Sequence, residues 1–520
     1  MSQNRGSRMG GRNARKAKRA SALPENMKPV RPGLEGGLYK PLNESDLPRI
    51  HEAVLQVLET IGLGQAIPSC IEACIAVGCT LAENGRLLFP RQVVEDSLKK
   101  AGRNITLYGA IPKHDIQLSG KRVYFGTAGA AVHIVDPISR EYRESTVADL
   151  YDIARLCDTL EHIHFFQRSM VCRDLEDIRE MDFNTCYASI SGTQKHVGTS
   201  FSFPETVNEA IQMLHLISGS ETAWRERPFV SMSCCFVVPP LKFAEDASAC
   251  LEAGVRGGMP VLLLAAGQAG ATAPATLARS IVQEVAEVLA GFVYVNAIQE
   301  GSPAIFGTWP FVSDLRTGAM SGGSGEQAVL MAACGQMAQF YDLPSGIAAG
   351  MTDSKIPDAQ SGYEKGYTVS LAAHSGANMV YESVGMQASL LGCCPESYVI
   401  DNDMLGAINR TVRGIEVNDE TLAIDPIREV CLEGPGHYLG HEQTLSRMQT
   451  DYLYPSVGDR ENINNWIEQG STDVVQRARK IVQDTLESHF PKNWDEKIDE
   501  KIREQFPVRL PRKKMKQKIS

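Results

Sequence analysis

The 520-residue sequence lacks most of the short signatures that announce a chemistry. None of its thirteen cysteines forms a CxxC pair, and no HExxH is present, so neither a redox dithiol nor a zinc site of familiar spacing is encoded. No Walker glycine loop or nucleophile-elbow motif occurs, which argues against phosphoryl transfer and against a Ser-His-Asp hydrolase. A G-x-G-x-x-G turn opening a helix is also missing, so a dinucleotide fold is disfavoured. No apolar run approaches the roughly 20 residues of a membrane span, and the polar N-terminus has no secretory core. Aromatic residues are sparse, at 7%. These absences lead to the expectation of a cytoplasmic protein with no membrane association, holding its cysteines as reduced thiols.

Hydrophobic content of 43%, charged content of 22% and a formal charge of -10 describe an ordinary globular body. Basic residues gather at both ends: Arg5, Arg8, Arg12, Arg15, Lys16, Lys18 and Arg19 at the start, Arg509, Arg512, Lys513, Lys514, Lys516 and Lys518 at the close. No aromatic residue interrupts the first cluster to stack on bases. Residues 1–38 therefore read as a disordered basic tail rather than a nucleic-acid arm, with a second basic tail at 509–520. Residues 39–103 read as a small helical region. LPRIHEAVLQVLETIGLG repeats its apolar residues at helical spacing, and PRQVVEDSLKKAG is bracketed by Pro90 and Gly102. Cys70, Cys74 and Cys79 have only weak metal spacing, and no metal site is expected.

From about 104 to 400 short apolar runs alternate with amphipathic stretches. The runs are at 122–129, 162–167, 195–203, 228–235, 260–267, 292–299, 346–351 and 376–383. Eight strands separated by helices predict parallel pairing and a closed (β/α)8 barrel, an α/β fold. VHIVDP and EYRESTV after the first run read as a hairpin insertion. Residues 401–508 supply loops and helices that complete the domain.

Active residues of such a barrel lie where its strands end. The predicted mouth includes Thr127, Gln167, Thr199, Ser233, Gln268, Asn296, Gln299, Thr352, Asp353, Glu382 and Ser383. It is neutral to acidic, which suits a small cation. Trp309, Phe311, Tyr341, Tyr363 and Tyr381 could offer ring faces, and cation–π contacts contribute about 0.5–2 kcal/mol each.

Several stretches resemble the trimethylamine methyltransferase family of corrinoid-dependent enzymes. They are FGTAGAAVHIVDPISREYRESTVADL (125–150), FGTWPFVSDLRTGAMSGGSGEQA (306–328), GMTDSKIPDAQSGYEK (350–365), YESVGMQASLLGCC (381–394) and GPGHYLGHEQTL (434–445). The resemblance implies a (β/α)8 barrel that moves a methyl group from a methylated amine to the Co(I) of a cobalamin. That cobalamin is carried by a separate corrinoid protein, with none tightly bound to this chain. Founding members of the family use pyrrolysine for trimethylamine, in or near the stretch Gly346–Met386. This chain has only standard residues there, which places it beside relatives that act on quaternary amines such as glycine betaine. A quaternary nitrogen already carries the charge that makes an amine a leaving group. On this reading Asp353 and Glu382 face the cation, Trp309, Phe311 and Tyr363 supply rings, and Gln299 and Gln327 orient the substrate. Lys355 or Arg316 would meet a betaine carboxylate. His437, in a Gly-rich loop, would contact the corrinoid or move a proton. A homo-oligomer is expected. The alternatives are a tertiary-amine methyltransferase working without pyrrolysine, and a non-enzymatic barrel that binds quaternary amines.

Overall fold

The computed structural model describes residues 23–434 and 436–517. Eight parallel strands form its centre: β1 (Arg122–Phe125), β2 (Phe165–Gln167), β3 (His196–Thr199), β4 (Val230–Cys234), β5 (Val261–Ala265), β6 (Ala304–Thr308), β7 (Gly346–Ala348) and β8 (Met379–Tyr381). Register runs continuously around them. Val197 pairs with Phe166 and Val230, Met232 with Val261, and Leu263 with Phe306. Ile347 pairs with Val380, and Tyr124 pairs with Met379 to close the ring. Single bridges, Gly126 to Phe165 and Phe306 to Ser345, complete the two remaining seams. All strand residues except Arg122 and Ser233 are buried, as a sheet covered on both faces requires.

One predicted strand is wrong. FVYVNAIQ (292–299) is the end of a 22-residue helix, Leu277–Ile298, and the sixth strand is AIFGT at 304–308. The helix packs against the N-terminal helices Asp46–Thr60, Pro68–Ala76 and Arg91–Lys100 as well as β5 and β6, so it is apolar nearly all round. It is long and apolar enough to cross a membrane by length and composition, but 72% of its apolar window is buried in the protein, as in a core helix. An apolar run buried on every side has no period to distinguish helix from strand.

The predicted hairpin is present as Tyr142–Glu144 antiparallel to His133–Val135. It joins a second hairpin, Met386–Gln387 with Gly392–Cys393, into a four-stranded collar above the β8 end. The tails differ from expectation. Residues 1–22 and 518–520 lie outside the described residues. Leu34 and Glu35 pair with Val123 and Arg122, and Arg31 accepts a hydrogen bond from Asn409, so residues 31–35 are fastened to the barrel. At the other end Arg509 bridges Glu180, Arg512 bridges Asp499, and Lys514 bridges Asp152. Leu510 is fully buried. Those basic residues neutralise acids of the protein itself.

Candidate active site

The carboxyl ends of the strands bring together buried polar atoms that the protein does not satisfy. Gln167 Oε1 (end of β2), Thr199 Oγ1 (end of β3), Thr308 Oγ1 (end of β6), Gln327 Oε1 and Glu382 Oε2 (just past β8) are all buried and have no hydrogen-bond partner among the described residues. An unsatisfied buried polar group costs about 1–3 kcal/mol, so five at one end of a barrel mark a place suited to a ligand. Gln327 stands in the first turn of the helix Gly325–Phe340, and its amide Nε2 contacts only Met351 Sδ, at 3.9 Å.

Glu382 carries two further signs of strain. Its backbone is left-handed, with φ of 59°, a conformation that costs an ordinary residue roughly 1–3 kcal/mol. Burial pushes its carboxyl up to about 8, with no compensating hydrogen bond. The conformation is imposed from both sides. Ser383 N donates to Gly126 O at 3.1 Å, and Ser383 Oγ to Val380 O at 2.6 Å. Gly350 approaches so closely that a Cβ there would lie 2.7 Å from Glu382 O, and its own φ is 103°, so only glycine fits. Behind this turn a buried ion pair, Lys365 to Asp401 at 2.7 Å, also receives Gly385 N at 2.8 Å.

Asp353 presents the opposite picture. Its carboxylate accepts from Ser321 Oγ (2.9 Å), Gly322 N (2.8 Å) and Ser389 Oγ (2.5 Å), joining the loops after β6, β7 and β8. Glu364 secures the same turn by accepting from Asp353 N at 2.8 Å and Thr352 Oγ1 at 2.5 Å. Ser389 lies within three consecutive left-handed residues, Ala388, Ser389 and Leu390, so Asp353 helps to hold a strained hairpin.

The predicted aromatics separate. Trp309 is buried, donates Nε1–H to Gly346 O at 3.1 Å, and lies 5.3 Å from the Tyr381 ring, which meets Phe165 at 4.9 Å. These three rings pack on one another inside the barrel, with Tyr381 and Trp309 reaching Gly346 at the start of β7. Phe311 is half-buried in a short pairing, Gln268–Ala269 with Phe311–Val312, that extends β5 and β6 beyond the ring. Tyr363 is 60% exposed on the outside of the helix Ala359–Ser375. Tyr341 ends the helix before β7, at the opposite end of the barrel, bonded to His51.

Five other candidates are not at the mouth or are otherwise engaged. Gln299 and Asn296 end the helix that precedes β6, so they sit at the amino ends of the strands, a correction that follows from the misassigned strand. Lys355 is exposed and donates to Asp353 O at 2.6 Å. Arg316 is 89% exposed and paired with Asp314. His437 is exposed in the excursion 414–452, which is rooted at the end of helix Pro395–Arg413, where Arg413 bonds Pro29 O and Asp451. Leu34–Glu35 pairs with the first residues of β1 beside this root, so the excursion starts from the end of the barrel opposite the mouth.

Two residues that sequence reasoning passed over do line the mouth. Arg168 and Cys235 directly follow the last residues of β2 and β4. Arg168 was legible as a polar residue one step past the run 162–167, and Cys235 as the last residue of the run 228–235. Cys235 is solvent-accessible, yet its surroundings push the thiol up, as expected for a group in a deep cleft. Among the described residues no group of three His, Cys, Asp or Glu side chains could hold a metal ion. Cys70, Cys74 and Cys79 are buried together, and their mutual contacts raise the Cys74 and Cys79 thiols.

A family profile described as trimethylamine methyltransferase matches residues 8–514. The chain is 32% identical over 471 residues to a trimethylamine methyltransferase MttB of Desulfitobacterium hafniense (strain DSM 10664 / DCB-2), covering 90% of this chain and 94% of that protein. It is 29% identical over 467 residues to a glycine betaine methyltransferase of Desulfitobacterium hafniense (strain Y51), covering 89% and 96%. A trimethylamine methyltransferase MttB of Methanosarcina thermophila is 31% identical over 476 residues, covering 90% and 96%.

Proposed function

The chain belongs to the trimethylamine methyltransferase family, and we propose that it transfers a methyl group from a quaternary amine to the Co(I) corrinoid of a separate protein. The observation that carries this reading is Glu382: a carboxylate directly past β8, buried at the mouth, with an oxygen that has no partner among the described residues and no hydrogen bond to its other oxygen, unlike the similarly buried Glu284, which accepts from Gly267 N. A quaternary ammonium is the ligand such a group lacks. It has no N–H to donate, so it asks for a counter-charge and apolar walls rather than a directed acceptor. Trp309, after β6, has its indole N–H committed to Gly346 O and is assigned the apolar wall. The unpartnered Gln327 amide oxygen adds a second negative dipole.

The corrinoid is the methyl acceptor, and its Co(I) supplies the electron pair that forms the new bond to carbon. The C–N pair returns to nitrogen, which leaves as a neutral amine, so no general acid is needed. The residues of this chain bind the cation, turn one methyl toward the open mouth and exclude water. Once the positive charge has left nitrogen, Glu382 loses its partner, and its raised proton affinity allows the empty site to return to the acid form.

The test is a reconstituted assay. Purified protein and a corrinoid protein reduced to Co(I) are mixed with glycine betaine, proline betaine, carnitine, choline or trimethylamine, and corrinoid methylation is followed by absorbance. Turnover of at least one quaternary amine is expected. Methylation from trimethylamine alone would move the chain to the tertiary-amine reading, which the relatives named for that substrate also permit. No methylation from any of the five would overturn the proposal.

A further inference from the structure

Across the mouth from Glu382 lies a cavity of about 270 Å³ that the reaction outlined above does not use. Its walls come from the ends of β2, β3 and β4, with Arg168, Ser200, Ser233 and Cys235, and from the helix Ile178–Gly192, with Asp182 and Thr185. Arg168 is fixed by two contacts: its backbone N donates to Gly198 O at 2.9 Å, and its Nε donates to Ser200 Oγ at 2.5 Å. The two terminal amino groups of the guanidinium have no hydrogen-bond or ion-pair partner among the described residues. The acidic group nearest in the wall, Asp182, is spent on Ser202, accepting from its N at 2.5 Å and its Oγ at 3.3 Å. A guanidinium held by Nε with its terminal edge free is set for a planar two-oxygen acceptor. Asp182 in the same wall leaves the cavity near neutral overall, which favours a monoanion over a phosphate dianion. Cys235, at the end of β4, feels both Arg168 and Glu382, which follow the ends of β2 and β8 on the same face of the barrel.

We infer that Arg168 is a carboxylate-binding subsite, and that the methyl donor is a zwitterion whose ammonium meets Glu382 and whose carboxylate meets Arg168. This inference rests on the assignment of Glu382 to the ammonium group. Lys355 and Arg316, the cations that the sequence suggested for a carboxylate, are engaged on their own loops. Arg168 is the mouth cation with donors to spare. A donor that carries only the positive charge leaves those donors unpaired, and the cost of that makes the site selective.

The test is calorimetric binding to the full chain, without the corrinoid protein, using glycine betaine, 4-(trimethylammonio)butanoate, choline and tetramethylammonium. The wild type is expected to favour whichever carboxylate-bearing ligand fits the span by roughly 100-fold over choline. Arg168→Gln should erase that preference and leave choline and tetramethylammonium unchanged. Arg168→Lys keeps the charge but loses the fork and should recover part of the preference. Its melting temperature, set beside that of the wild type, separates loss of the subsite from loss of the fold. A preference for carboxylate ligands that persists in both variants overturns the inference, as does a wild type that binds choline as tightly as both betaines. Glu382→Gln tests the underlying reading separately. If it leaves tetramethylammonium binding intact, the cation assignment fails. If betaines bind through Arg168 but no corrinoid is methylated, the subsite stands and the transfer reaction fails.

Discussion

Asp353 and Glu382 are neighbours at the mouth, follow adjacent strands and look equivalent as acids after apolar runs. Their surroundings separate them. Asp353 accepts three hydrogen bonds from two other loops, whereas Glu382 has an oxygen with none and a left-handed backbone. The first carboxylate has its oxygens satisfied by the protein and holds loops together. The second bears the cost of burial, which protonation relieves in the empty site and a cationic ligand offsets for the carboxylate form. Counting donors distinguishes a structural acid from a binding acid where residue type and position cannot.

The sharpest way to break this comparison is to remove what supports the Glu382 turn without touching the ligand site. Lys365→Met leaves Asp401 buried without its cation, so stability should fall by about 3–5 kcal/mol, measured by denaturant unfolding. A loss below about 1 kcal/mol would mean that the β8 end is held without this pair.

Glu382→Gln removes the unpaired charge. Affinity for a quaternary ammonium should fall by about 2–5 kcal/mol in free energy while the fold remains intact, read by calorimetry and thermal melting. Equal loss of affinity in Asp353→Asn would abolish the distinction between the two acids. That second variant instead should cost stability, about 1.5–3 kcal/mol from its charge-assisted hydrogen bonds, and leave amine affinity within a few-fold. Proteolysis at the 386–393 hairpin, which Asp353 anchors through Ser389, should quicken.

pH gives the smallest and most specific effect. The raised Glu382 pKa means that the empty folded protein prefers the acid form below about 8. A raised acid contributes stability below its ordinary value of 4.5 that is lost as pH rises toward 8. The cation prefers the carboxylate, so binding releases a proton below pH 8. Affinity should fall about tenfold for each unit below 8 and level off above it. Glu382→Gln should flatten this profile, and a wild-type profile already flat from pH 6 to 9 would place the counter-charge elsewhere.

The sequence made the barrel legible because parallel strands announce themselves as short apolar runs at regular intervals. Seven of the eight predicted runs contain the observed strands. The exception, at 292–299, shows where composition fails, since a helix enclosed on all sides has lost its polar stripe. At the mouth, Glu382 was legible from its place near a strand end, whereas Gln327, in the helix Gly325–Phe340, came only from the family resemblance. Arg168 was missed because the run HIHFFQ was read only to its last apolar-flanked residue, one position short. The role of Asp353 depends on Ser321, Gly322 and Ser389, distant positions that no local pattern joins to it. Likewise the basic C-terminal segment could not be read as docked, because Asp152 and Glu180 lie more than three hundred residues earlier in the chain.

That docking also governs how the molecule is made. The barrel seam joins Tyr124 to Met379, and the outer helices are then clasped by Arg509, Arg512 and Lys514. A chain emerging from the ribosome holds β1 unpaired on one edge until β8, about 250 residues later, has been synthesised, and the clasps wait for residues 509–514. Contacts of such long sequence separation delay folding, because loop closure must precede their reward. A growing chain therefore exposes an open sheet edge throughout the synthesis of the strands between, which is the state that chaperones bind.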